Sequence, residues 1–409
     1  MFSLRPIKLI SISLLFLTNS SLSATIDTIF LGEESFFFPA DTGGFSADGS
    51  LIFGHQGSFR GGERPAIYDT DKGEFIDLPA GLNPQAIVTG SSTDGSVLVG
   101  LEENFIGEVT SFAYINGVRT VLDGSRPPYQ GFFPLDLEIA VRLGYGPSVS
   151  DSGSRIIVPN ISPQDGSPRN FQAEYLVYDD GQLQESILIP RTNDSLPRHR
   201  ISPDGSKVVI SAAGQSGNEL GEINSSSIEV IGGQILDTQS SFASLPLDIA
   251  ADSSTVIFSS SFEAKLALDG GEIVSLEHTL EGLLGNAFLN GDGTVVAADL
   301  IVFLDGVRKS LPGLWRLDEF GDYQFTTLEQ LLQDQGVDIS LEGWTELNSI
   351  RGISADGLKL VGLGIKDQNS GVFLVSLDPA AVPLPPTAGF LLFSCLGLLF
   401  SKHKLNKAN

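Results

Sequence analysis

The sequence predicts an all-β protein made of repeated units, and two observations lead to this prediction. A phrase of small and polar residues that ends in Asp-Gly, followed by alternating apolar residues, recurs along the chain, with clear copies at 46–54 and 92–100. The copies are 40 to 64 residues apart, a period typical of radial or stacked β-units. Their acidic residues are Asp48, Asp94, Asp151, Asp204, Asp252, Asp292 and Asp356.

The chemistry of the phrase is structural. An Asp side chain accepts hydrogen bonds from the backbone amides of its own turn, and Gly takes the positive φ that such a turn needs. The residues that follow, as at 207–210, are β-branched and apolar, which suits a buried strand. A second turn comes later in the unit, as at Asn116-Gly117, and predicts a hairpin.

Three or four strands in about 50 residues is the size of a propeller blade. Seven units therefore predict a seven-bladed β-propeller, with a stacked β-array as the alternative. We expect the early aromatic segment 36–38 to close the ring against the last strand, at 372–375.

The last unit also predicts the one short helix of the fold. Thr327 and Gln330 match a capping box, and Gly336 stops the helix. Leu328, Leu331 and Leu332 fall on one face and predict the side that packs on the sheet.

The sequence patterns at the two ends of the chain indicate targeting segments. Residues 1–24 predict a cleavable signal peptide, with Arg5 and Lys8 before an apolar stretch and small residues up to Ala24. The repeat domain occupies 25–381. Residues 382–409 combine a proline motif, an apolar run at 388–400 and a basic end, which predicts a temporary stop in the inner membrane with the bulk of the protein outside.

The tail resembles a PEP-CTERM sorting signal. Its proline motif consists of Val382, Pro383, Leu384, Pro385 and Pro386, and its basic end holds Lys402, Lys404 and Lys407. The resemblance implies a processing enzyme of the exosortase type, a Gram-negative source that makes exopolysaccharide, and a place on the cell surface or in the extracellular matrix. The motif lacks the Glu of the naming tripeptide. A Gram-positive sortase motif at 384–388 and a plain uncleaved anchor are the alternatives.

The repeats themselves resemble known extracellular ones. The segment 201–205 is similar to the blade signature of TolB-type propellers, and the Asp-Gly phrase followed by a valine-rich strand is similar to the HAF-type repeat. The final unit, with its helix and the Gly343-Trp344 pair, resembles the last unit of PEP-CTERM proteins with such repeats. These resemblances imply a surface protein with no established activity.

Charge and cysteine usage restrict the function further. The chain has 24 basic and 50 acidic residues, for a net charge of −26, so its surface repels nucleic acid. The only cysteine, Cys395, lies in the tail, so a processed protein has no thiol for catalysis or for a metal site.

A search for chemistry finds no catalytic or cofactor-binding residues. His55, His199 and His278 fall in different repeats without metal-ligand spacing, and the arginines beside His199 predict a loop or blade rim. Calcium is the one candidate cofactor, at acidic turns 69–74 and 290–293, which ordinary hairpin turns also explain. The aromatic segments 36–38 and 132–133 suggest sugar stacking.

We therefore expect a non-enzymatic, exported propeller that has a structural role or binds a ligand such as exopolysaccharide. The alternative is a secreted propeller enzyme, a hydrolase or lyase that acts on polysaccharide.

Overall fold

The computed structural model describes most of the repeat region. The described residues are 24–31, 35–39, 45–46, 48–58, 62–76, 86–103, 109–122, 146–163, 170–193, 198–211, 226–232, 245–250, 255–260, 263–268, 273–276, 282–304, 306–318 and 320–377. Apart from Ala24, both predicted targeting segments, including the sorting motif 382–386, lie outside these residues. No helix within the described residues is long and apolar enough to cross a membrane.

The described strands form seven sheets, which are the blades of the propeller, and this confirms the predicted fold class.
Blade 1 contains β2 (Ser35–Pro39), β3 (Leu51–Ser58), β4 (Gly62–Asp69) and β5 (Glu74–Ile76).
Blade 2 contains β6 (Ala86–Ser91), β7 (Val97–Glu103), β8 (Val109–Ile115) and β9 (Val118–Leu122).
Blade 3 contains β10 (Ser148–Val149), β11 (Arg155–Pro163), β12 (Asn170–Asp179) and β13 (Gln182–Asn193).
Blade 4 contains β14 (Arg198–Ile201), β15 (Lys207–Ser211) and β16 (Glu229–Gly232).

The second half of the ring follows the same plan.
Blade 5 contains β17 (Leu245–Ile249), β18 (Thr255–Ser260), β19 (Glu263–Leu268) and β20 (Ile273–Ser275).
Blade 6 contains β21 (Gly282–Leu289), β22 (Val295–Leu304), β23 (Val307–Leu317) and β24 (Tyr323–Thr327).
Blade 7 contains β25 (Trp344–Ile353), β26 (Lys359–Lys366), β27 (Asn369–Ser376) and the first strand of the chain, β1 (Thr25–Leu31).
The first strands of blades 2 to 7 contact one another in order, from β6 to β25, so these strands line the axis.

The first strand of the chain closes the ring. β1 pairs antiparallel with β27, with Thr25 opposite Ser376 and Leu31 opposite Gly371. The expectation that 36–38 closes the ring is therefore wrong, because that segment belongs to β2 and pairs with β3 inside blade 1. Ile26 and Ile29 are buried against residues of the last blade, which explains why the earlier strand takes the closing position.

The repeated Asp-Gly phrase forms the turn between the first and second strands of a blade. In blade 1 the Asp48 carboxylate accepts a hydrogen bond from Ser46 Oγ at 2.6 Å and from the Ser50 amide at 3.0 Å. The Leu51 amide donates in turn to Ser46 Oγ at 2.9 Å. The same arrangement recurs around four other acids, namely Asp94, Asp204, Asp292 and Asp356.

Two copies of the phrase do not show this arrangement: the copy in blade 3 differs from it, and the acid of the copy in blade 5 is not among the described residues. In blade 3 Ser150 is the first serine of the phrase, and its Oγ accepts from the Arg155 amide at 3.1 Å. Ser152 occupies the position that an acid holds in the other turns, and its Oγ accepts from the Ser154 amide at 3.3 Å. Asp151 therefore lies one position before the other turn acids. Asp252 lies outside the described residues.

The glycine of the phrase serves a second purpose, because it packs against the preceding blade around the ring. Gly49 has a φ of +69°, and a Cβ there would lie 2.9 Å from Ser354 Cβ of blade 7. At Gly153 a Cβ would lie 2.6 Å from Val97 Cγ2 of blade 2. Both distances are shorter than a carbon contact allows, so the joint between blades requires glycine.

The predicted helix is α1 (Leu328–Asp334), and its predicted cap is confirmed. Thr327 is the N-cap, and its Oγ1 accepts a hydrogen bond from the Gln330 amide at 3.3 Å. Leu328, Leu331 and Leu332 are buried in the same cluster as Trp344. The helix thus covers the core between blades 6 and 7.

Blade 4 departs from the antiparallel plan of the other sheets. Its third described strand, β16, pairs with β15 in the parallel direction, with Val208 opposite Val230. The residues just before β16 are held by blade 3, because Glu185 accepts hydrogen bonds from the amides of Ser226 at 2.8 Å and Ser227 at 3.0 Å. This contact fixes the start of the parallel strand.

Candidate functional site

A cavity of about 160 Å³ lies on the axis of the propeller, at the end where the Asp-Gly turns meet. Every blade contributes to its wall through the end of its first strand or the turn that follows, as Phe45 does in blade 1 and Ile353 in blade 7. Axial cavities that collect residues from several elements are common binding sites in proteins. We therefore treat this cavity as the candidate site.

The wall of the cavity is fixed by backbone hydrogen bonds between turns. The Thr93 amide donates to the Asp151 carbonyl at 2.8 Å, and the Asp151 amide donates to the Pro203 carbonyl at 2.7 Å. On the other side of the ring the Gly291 amide donates to the Ala355 carbonyl at 2.7 Å. All five residues hold the second position of the repeated phrase, so that position faces the axis and links neighbouring blades.

Of the residues that the structure describes, three charged ones line the cavity: Asp151, Arg200 and Asp248. Asp248 is bound to the backbone on both of its oxygens, since it accepts from the Ile249 amide at 3.0 Å and from the Leu289 amide of blade 6 at 2.8 Å. Desolvation raises the pKa of Asp248 to about 6, while these hydrogen bonds and the nearby Arg200 oppose the rise. Asp248 thus joins blades 5 and 6.

A second acid does the same for blades 6 and 7, away from the cavity. Asp299 on β22 is 4% exposed and accepts a hydrogen bond from the Ile350 amide of β25 at 2.7 Å. Desolvation raises its pKa to about 7, against the opposing effects of that hydrogen bond and of Arg351. Because the carboxylate is bound to a neighbouring blade, its role is structural.

Asp151 differs from both of these acids. Burial and the nearby Asp204 raise its pKa. Among the described residues none donates a hydrogen bond to its carboxylate. The Oγ of the nearby Ser148 also lacks a partner among them, but it is fully buried and does not face the open space of the cavity. Asp151 is therefore the one of these two groups that a ligand in the cavity can reach.

The histidines are not brought together. His199 lies on the innermost strand of blade 4, is 3% exposed, and packs 4.9 Å from the ring of Tyr175. The expectation of a loop or rim position is wrong, because burial puts this residue between two blades and lowers its pKa to about 3. His55 belongs to β3 and His278 lies outside the described residues.

The turns that resemble calcium loops form hairpin connections. Asp69 accepts from the amides of Asp71 at 3.1 Å and Lys72 at 2.9 Å, and it pairs with Lys72 Nζ at 2.6 Å. At 290–293 the Asp292 carboxylate caps its turn as the other repeat acids do. No cluster of three or more His, Cys, Asp or Glu suited to a metal ion occurs in the part of the chain that the structure describes.

Comparisons with known proteins support the fold and go no further. No protein-family model and no curated protein matches the sequence.
An oligogalacturonate lyase in complex with manganese has a TM-score of 0.52 and 11% identity, over 88% of this chain and 98% of that chain.
An oligogalacturonate lyase from Vibrio parahaemolyticus has a TM-score of 0.54 and 9% identity, over the same shares.
An acylaminoacyl peptidase from Pyrococcus horikoshii has a TM-score of 0.51 and 10% identity, over 80% of this chain and 49% of that chain.
These similarities show a shared β-propeller fold.

Proposed function

We propose that this chain is an exported β-propeller of the cell surface or extracellular matrix that binds a polysaccharide and does not alter it chemically. The observation that supports binding is the axial cavity, whose wall is held by backbone hydrogen bonds and carries the carboxylate of Asp151. A wall that is fixed before the ligand arrives lowers the entropic cost of binding.

Three ionisable groups with shifted pKa values, Asp248, Asp299 and His199, hold positions that suit structural roles rather than acid–base catalysis. Asp248 and Asp299 bind backbone amides of neighbouring blades, and His199 is packed against an aromatic ring with a pKa far below neutrality. A general acid or base must reach the proton that it transfers. Because Asp248, Asp299 and His199 lie between blades, their burial there explains their shifted pKa values.

The proposed route to the surface uses both ends of the chain. Because Thr25 pairs with Ser376, the predicted signal peptide and the predicted tail attach to neighbouring positions of blade 7. In this proposal the tail holds the folded ring at the inner membrane for a time, and an exosortase-type enzyme then acts at the motif 382–386. Mass spectrometry of protein released to the surface tests this step, since recovery of the intact end 402–409 would contradict it.

A binding assay combined with a product assay tests the function. The full chain is applied to a panel of immobilised polysaccharides, and each one that it retains is then incubated with it and sized by chromatography. We expect retention without any change in chain length. Retention by none of the polysaccharides would contradict the proposal.

The alternative is a secreted enzyme that cleaves polysaccharide, and the similarity to oligogalacturonate lyases favours it over other enzymes. The same assay separates the two functions. Shortened chains that appear with time, and that require this protein, would establish the enzyme. The panel includes polygalacturonate with added manganese, because one similar protein was solved in complex with that metal.

A further inference from the structure

The charges around the cavity narrow the chemistry of its ligand. Among its described residues, two carboxylates, Asp151 and Asp248, line it beside one guanidinium, Arg200, and Asp204 is close enough to act on Asp151. The excess of carboxylates repels an anionic ligand, and Arg200 repels a compact cation. A neutral ligand avoids both penalties.

The Asp151 carboxylate adds a second restriction on the ligand. A carboxylate only accepts hydrogen bonds, so the ligand group beside it must be a donor. Asp151 lies in the turn that lines the cavity. An alcohol hydroxyl supplies such a donor without adding a charge.

The volume of the cavity and the apolar residues of its wall restrict the ligand further. A volume of about 160 Å³ corresponds to about five water molecules. A single sugar ring whose hydroxyls replace these waters retains their hydrogen bonds. Phe45, Phe288 and Ile353 also line the cavity and offer apolar surface to the C–H groups of such a ring.

We infer that the turn end of the axial channel binds one neutral sugar residue, at the end of a polysaccharide chain, with the Asp151 carboxylate as the hydrogen-bond acceptor of its hydroxyls. This rests on the proposed binding function and specifies where and how it occurs. The backbone bonds on either side of Asp151 hold it in place, so its position does not depend on the ligand. A cavity of this size accepts one ring and not a continuous chain.

Titration calorimetry on the full chain tests the site with three matched probes: a neutral methyl hexoside, a uronic acid and an amino sugar. We expect the neutral sugar to bind best. Asp151→Ala should weaken it about tenfold or more, because hydrogen bonds to charged groups are the strong ones. Asp71→Ala removes the same charge from an exposed position on blade 1, with 72% of that side chain exposed, and should leave the affinity unchanged.

The outcomes separate this inference from the proposed function. Thermal unfolding of each variant shows whether it is folded, and Asp151→Asn gives a second, milder variant that should weaken binding in the same direction, because it keeps the shape but loses the charge. Tightest binding of the uronic acid or amino sugar, or an unchanged affinity in Asp151→Ala, would overturn the site. If polysaccharide retention persists in that variant, the proposed function stands and the site lies elsewhere.

A length series supplies an independent readout. Equal masses of one retained neutral polysaccharide, cut to decreasing lengths, offer increasing numbers of chain ends. End binding predicts that the amount of protein bound rises with the number of ends. A bound amount that follows total mass instead would overturn recognition of a terminal residue.

Discussion

Asp299 makes the stability of the propeller depend on pH in a direction opposite to that of most acids. Its carboxyl group is 4% exposed, and its pKa rises from 3.8 to about 7 in the fold. The folded state therefore holds the proton more tightly than the unfolded state does. The stabilisation from this proton is complete below about pH 4 and is lost as the pH rises through about 7.

The size of the effect follows from the shift. A rise of about three pKa units at about 1.4 kcal/mol per unit amounts to about 4 kcal/mol of unfolding free energy, lost between acidic and mildly alkaline pH. Asp299→Asn keeps an oxygen that accepts from the Ile350 amide but does not titrate. We expect this variant to gain stability relative to the wild type by a few kcal/mol between pH 5 and pH 8.

Urea unfolding of the full chain at pH 5 and pH 8 measures this difference. Asp94→Asn is the control, because hydrogen bonds to Ser96 and Ser92 lower the pKa of Asp94 to about 2. At both pH values Asp94 is ionised whether the chain is folded or unfolded, so its substitution should change stability equally at each. A difference between wild type and Asp299→Asn that does not change with pH would refute the reasoning.

Two further predictions concern the joints between blades. Gly49→Ala should lower the unfolding free energy by about 2 to 3 kcal/mol, through its left-handed φ and its clash with Ser354, whereas Gly117→Ala, with a φ of +83° and open space around it, should cost only about 1 kcal/mol. Equal costs in thermal or urea unfolding would contradict the packing role. Arg155 pairs with both oxygens of Asp179 at 2.7 and 3.0 Å and donates to two carbonyls of blade 4. Arg155→Lys should therefore lose about 1 to 3 kcal/mol in the same assay, because lysine cannot make the paired contact, and an unchanged stability would contradict it.

The sequence predicted the features that depend on a few neighbouring residues. The Asp-Gly turns, the hairpin at Asn116-Gly117 and the capped helix each carry their signal within about ten positions, and the structure has all three. The blade count followed from repetition of the first of these. Local hydrogen bonds decide such elements, so the local sequence is enough to find them.

The features that the sequence missed depend on pairing between distant residues. Segment 36–38 and β1 are both apolar and β-prone, and the local sequence does not show that Ile26 and Ile29 of β1 are the residues that pack against the last blade. The arginines around His199 suggested exposure, but the strand that they share is the innermost of its blade. A signal for the structural acids was present, since Asp299 interrupts a run of apolar residues on β22.

Asp151 lies one position before the acids of the other turns, and this difference links the repeat to the candidate site. A turn of this fold needs a side chain that caps at the third position of the phrase, whereas the second position needs only its backbone to join the next blade. Blade 3 caps with Ser152 and is thereby able to place an acid at the second position, where it faces the axis. The second positions of blades 4, 6 and 7 hold Pro203, Gly291 and Ala355, which bring no ionisable group to the cavity. The repeat thus supplies a rigid wall, and a one-residue change within a single unit sets the chemistry of the cavity.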